Sequence, residues 1–140
     1  MDTENVVNDI ERLDLLRTIR KELKARELYL IDKAAGTASK AQDVHFGGTR
    51  QSHDRIGNYI DDLSEVKDKI RELDLEMERR ELRVLEAIAS LPNDEGNVMY
   101  YRYIKRMSWK RVASSVNFSV KHCQWLRRKA IEKLKEEGRQ

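Results

Sequence analysis

The apolar positions of this chain recur at helical spacings over three stretches separated by two breaks. From about Thr3 to Ala35, Val6, Ile10, Leu13, Leu16, Ile19, Leu23 and Leu30 lie three, four or seven residues apart, which predicts a long helix with Thr3 as its candidate cap. Periodicity is lost between Gly36 and His53, where Gly47-Gly48 falls, and this predicts a flexible connector at about 36–53. His45 and Phe46 are its only candidates for a specific contact. A second helix is predicted from about Asp54 to Leu91. In it Ile56, Tyr59, Leu63, Val66, Ile70, Leu73 and Met77 alternate spacings of three and four, the a/d seam of a coiled coil. The register slips at Glu78-Arg79-Arg80-Glu81 before Leu82, Val84, Leu85, Ile88 and Leu91 resume it. So narrow a stripe on so polar a helix needs a partner stripe. The first helix can fold back as a hairpin, or a second copy can pair with it as an oligomerisation seam.

The remaining pattern is finer. Pro92 disfavours helix at Leu91, Asn93 is a candidate cap, and Asp94 and Glu95 suit the positive end of a helix dipole. A helix bearing Val98, Met99, Tyr101, Tyr103 and Ile104 follows, then a break at Lys105-Arg106-Met107. Ser108 is placed to cap a helix Trp109–Val116 with an inner face of Trp109, Val112, Ala113 and Val116. Asn117-Phe118 makes a turn in which Asn tolerates a left-handed backbone. Ser119 caps the last helix, with Cys123, Leu126, Ala130, Ile131 and Leu134 facing inward. The expected architecture is all-α: a coiled helical region over 1–91, as long-helix hairpin or coiled coil, then a helix-turn-helix domain over 92–140.

Charge divides the chain in the same way. Residues 1–97 carry 16 Lys+Arg against 22 Asp+Glu, and residues 98–140 carry 12 against 3, so a net charge of +3 conceals an acidic part and a basic one. Such asymmetry points to a segment that meets a polyanion. In a helix-turn-helix the second helix enters the DNA major groove, and residues near its N-terminus reach base edges. Here those are Val120, Lys121, His122, Gln124 and Trp125, with Gln124 suited to adenine and Lys121 to guanine. Ser108, Lys110, Arg111, Ser119, Arg127, Arg128 and Lys129 are expected at phosphates, which position a protein on DNA and set its salt dependence.

The run from Leu91 to Lys135 resembles region 4 of sigma-70-type factors, through Leu91-Pro92, Arg102-Tyr103, Ser108-Trp109, Val112-Ala113, Ser119, Ala130-Ile131 and Lys133-Leu134. With its acidic, coiled N-terminal part, the chain is similar to the small phage regulators of late transcription, the ArpU/RinA-like group. The resemblance implies a phage or prophage protein that activates late or packaging genes in the host cytoplasm. Where sigma factors typically carry Arg, Glu and Arg to read the −35 element, this chain has Val120, Lys121 and Gln124, so a different DNA sequence is implied. Having no counterpart of the promoter-melting region, it would act beside the host sigma factor or RNA polymerase.

Other chemistries find little footing. With 38% charged residues, a mean hydropathy of −0.78 and no apolar run near 20 residues, no membrane span is expected. The acidic start Met1-Asp2-Thr3-Glu4 shows no signal peptide, so the cytoplasm is the expected location. A single cysteine excludes an intramolecular disulfide, and His122-Cys123 point to different faces of one helix, so no metal site is expected. His45 and His53 lack ligand spacing. Gly47-Gly48 lacks the Lys-Ser/Thr of a phosphate loop, and Asp61-Asp62 lie on a solvated face. No cofactor and no enzymatic activity are expected. The expected partners are double-stranded DNA, host polymerase or sigma factor, and further copies of the chain as a homodimer or higher oligomer. Two other functions fit the same architecture: a small terminase-like DNA-packaging subunit, and a coiled adapter that binds polymerase without reading DNA.

Overall fold

The computed structural model describes the backbone of residues 2–43 and 49–137, and the side chains of 6–36 and 55–136. The fold is all-α, as the periodicity predicts. Helices α1 (Asp2–Asp43) and α2 (Thr49–Ala89) precede α3 (Asn93–Met99), a π-helical turn at Tyr100–Ile104, α4 (Trp109–Val116) and α5 (Val120–Glu137). None of the described helices is long and apolar enough to cross a membrane.

Both long helices reach further than periodicity alone indicates. Helix α1 continues past Ala35 to Asp43, and α2 starts at Thr49 rather than Asp54. Loss of an apolar stripe removes the packing face without removing helix propensity. Ala34, Ala35, Ala38, Lys40, Ala41 and Gln42 favour helix, and one glycine, Gly36, costs only about 1 kcal/mol. The expected connector at 36–53 is therefore mostly helical. His45, Phe46 and Gly47-Gly48 lie outside the described residues, as does the side chain of His53.

The chain forms two compact units, one of Leu16–Glu76 and one joining Met1–Leu15 to Met77–Gln140. In the first, the long-helix unit, α1 and α2 run antiparallel. Leu30, Val66 and Ile70 are buried, with Leu23, Tyr59 and Leu63 packed against them. Four of the seven expected seam positions thus meet this chain's own α1. Ile56 and Leu73 are half-buried, and Met77 belongs to the other unit. Arg20 Nε donates to Asp74 Oδ1 at 2.6 Å at the surface.

The second, the C-terminal unit, corrects the expected boundary at Leu91-Pro92. The helix stop is there, but packing crosses it. Val6, Ile10 and Leu13 of α1 and Val84, Ile88 and Leu91 share a core with Met99, Ala130 and Leu134. Asp9, 1% exposed, takes a two-pronged contact from Arg83 (Nε at 2.9 Å and a second nitrogen at 3.0 Å) and another from Arg80 at 2.8 Å. Charge-assisted forks of this kind fix geometry as well as energy. The slip at Glu78–Glu81 thus places Arg80 on an acid of α1. Pro92, not Asn93, is the N-cap of α3, and its carbonyl accepts from Gly96 N at 2.8 Å. Proline's preset φ holds this entry without a side-chain cap. A Cβ on Gly96 would lie 3.2 Å from Ile88 O, so glycine lets α3 close onto the end of α2.

Candidate nucleic-acid interface

Helices α4 and α5 are set by local chemistry legible residue by residue. The Ser108 hydroxyl accepts from Arg111 N and the Ser119 hydroxyl from His122 N at 3.1 Å, so both act as the N-caps expected. Asn117 takes the left-handed conformation at φ 60°, and Phe118 N donates back to Ala113 O at 3.2 Å. This closes helix, short turn, helix. Beneath it Val98, Val112, Ala113, Cys123 and Leu126 are buried, with Tyr101, Met107, Trp109, Val116 and Phe118 around them. Burial raises the Cys123 thiol above its ordinary pKa, so it stays a neutral apolar group. Lys133 holds both oxygens of buried Glu95 at 2.8 and 2.9 Å and ties α5 to α3.

With Cys123, Leu126, Ala130 and Leu134 turned inward, the opposite face of α5 is fixed at about 100° per residue. Lys121 and Arg128 lie almost in line on it, with Gln124 to one side and Trp125 to the other, all exposed. Val120 is exposed at the margin. No acidic residue occurs between Val120 and Ile131. His122 stands apart from this row. It is half-buried on the flank, edge-on to Phe118 at 4.7 Å and stacked on Trp125 at 5.4 Å, while Lys129 covers the Trp125 ring at 4.7 Å. Five expected base-reading residues therefore divide into an open row and an aromatic flank.

The expected phosphate contacts divide as well. Lys110 and Arg111 are exposed on α4, and Arg128 is exposed without an ion pair or hydrogen bond among the described residues. Arg127 is half-buried: its Nε donates to Tyr103 Oη, and its guanidinium lies 6.0 Å from that ring's centre. Arg102, not among the residues expected at a ligand, lies 4.8 Å over the Trp109 ring and donates to Met107 O at 2.9 Å. Arg102, Tyr103, Trp109, Gln124, Arg127 and Arg128 together line a cleft of about 330 Å³. No carboxylate is among them. The bend that presents Arg102 is held by Lys105 N to Tyr100 O and Met107 N to Tyr101 O, with Arg106 at a left-handed φ of 57°.

No known family, curated protein or solved structure matches this chain. Among the described residues no group of His, Cys, Asp and Glu is placed to hold a metal ion. The chemistry present is that of donors: lysine and arginine for anionic oxygens, a glutamine amide for a base edge, and aromatic faces for stacking.

Proposed function

We propose that this chain is a sequence-specific, double-stranded-DNA-binding transcriptional regulator, with α5 inserted in the major groove and no enzymatic role. The observation that carries the reading is the open row Lys121, Gln124, Trp125 and Arg128 on a helix that follows a capped turn and bears no acidic residue before Glu132. A helix of that width fits the groove, and glutamine and lysine offer the donors and acceptors that distinguish base pairs. Lys110 and Arg111 on α4 suit the flanking phosphates. A phage late-gene activator working in the bacterial cytoplasm beside host RNA polymerase or its sigma factor, as a homodimer or higher oligomer, is the setting that the sigma-region-4-like residues imply.

Selection from a randomised duplex pool by the full-length protein, near physiological salt, tests the reading. It predicts an enriched motif, whose symmetry reports the number of reading units. Salt-sensitive retention of DNA without enrichment would reject sequence reading and favour an adapter bound through its basic face. A large ring in solution would favour a packaging subunit.

A further inference from the structure

The C-terminal unit treats its cations in two ways. Where Arg80, Arg83 and Lys133 approach buried positions, a carboxylate meets them: Asp9 for the first two, Glu95 for the third. Around the cleft, three guanidiniums gather with no carboxylate among the described residues of the wall. Like charges brought together repel, and the repulsion grows as water is displaced. Two of these groups are nonetheless held by neutral acceptors, Arg102 by Met107 O and Arg127 by Tyr103 Oη. Each contact uses one of five N–H donors. The Tyr103 hydroxyl, accepting from Arg127, keeps its own proton to donate. Arg128 contributes a third, uncommitted fork, and Trp109 an aromatic wall.

We propose that this cleft is a binding site for a phosphate ester, with Arg102 and Arg127 as donors fixed before the ligand arrives. Guanidinium forks match phosphate oxygens, and three of them from two separate elements suit a tetrahedral anion better than a planar carboxylate. The volume, about 330 Å³, also leaves room for part of a sugar against Trp109 or Tyr103. The proposal deepens the DNA reading and rests on it for one point, the source of the phosphate: a strand backbone docked beside Gln124. A free phosphate ester has the same chemistry and would compete for the cleft.

The test follows the arginine Nε–H and tryptophan indole signals of the full-length protein during titration with inorganic phosphate, with acetate at equal ionic strength as control. Arg102, Arg127, Arg128 and Trp109 should move together along one saturating curve, with acetate weaker. Arg102→Gln should weaken phosphate roughly tenfold or more, the loss of a charge-assisted contact. Arg128→Gln, which leaves the Met107 contact intact, should act in the same direction. On a mixed-sequence duplex each variant should lower the salt slope by about one.

Non-saturating shifts shared by every arginine would show counterion accumulation only and overturn the site. Duplex binding by the wild type with unchanged phosphate titration and salt slope in both variants would overturn the site and leave the DNA reading standing. Saturable phosphate binding by a protein that retains no duplex would uphold the site, assign it to a free phosphate ester, and overturn the DNA reading.

Discussion

The two units bury their apolar residues to different depths. In the C-terminal unit, segments of α1 and α2 meet three short helices, and Leu13, Val84, Val98, Met99, Val112, Cys123, Ala130 and Leu134 are each 2% exposed or less. In the long-helix unit two helices meet along one stripe. Among its described residues only Leu16 and Leu30 reach that level, while Ile19, Leu28, Tyr29, Ile31, Ile60 and Leu75 stay exposed. A two-helix seam can cover only one side of each apolar residue. Helices converging from several directions enclose it. The candidate interface sits on the enclosed unit, where caps, a left-handed asparagine and the Glu95–Lys133 tie hold α5 rigidly enough to present side chains in register.

Core truncation should separate the units most. Leu134→Ala should cost about 2–5 kcal/mol in urea unfolding, and Ile70→Ala only about 2, since Ile70, though buried, lies on a two-helix seam that can collapse into the space left. Equal losses would break the contrast. Next in size, Asp9→Asn removes an acid held by two arginines, both still partly exposed, so about 1–3 kcal/mol is expected in the C-terminal unit. Amide exchange should show α1 loosening over residues 6–13. An unchanged exchange pattern would mean that apolar packing alone holds that segment.

Arg106→Gly should stabilise the C-terminal unit by about 0.5–1 kcal/mol, because glycine relieves the left-handed strain at φ 57° while gaining chain entropy when unfolded. A lower melting temperature would show that the Arg106 side chain contributes more than its backbone costs. The smallest effect belongs to Leu28→Gln in the long-helix unit. With Leu28 66% exposed, stability should stay within about 0.5 kcal/mol. A larger loss accompanied by a fall in solution mass would identify that face as covered by a second copy.

Sequence reading succeeded where the deciding interactions are local. The serine caps and Asn117 depend on neighbours three or four residues away and behave as their positions indicate, while the spacing of Tyr59, Leu63, Val66 and Ile70 marks one face of α2 without naming α1 as what meets it. It failed where the determinant is remote or quantitative. Gly36 looks like a break until the alanines around it are weighed. Burial of Asp9 depends on arginines some seventy residues away, and the cleft depends on Arg102 meeting α5 through the fold. Composition showed that the C-terminal part is basic, but not that three of its arginines share one space.

The DNA reading stands on Lys121 and Gln124 of the open row on α5 as base readers, with Arg128 left to the backbone. Its most direct test measures affinity for a selected duplex, and for the set of its single-base variants, with wild type, Lys121→Ala and Gln124→Ala. Each substitution should relax discrimination at one base pair by about 1–3 kcal/mol and leave the other positions discriminated as before. Equal loss on every duplex, with the preference unchanged, would contradict the DNA reading and reduce α5 to a backbone contact.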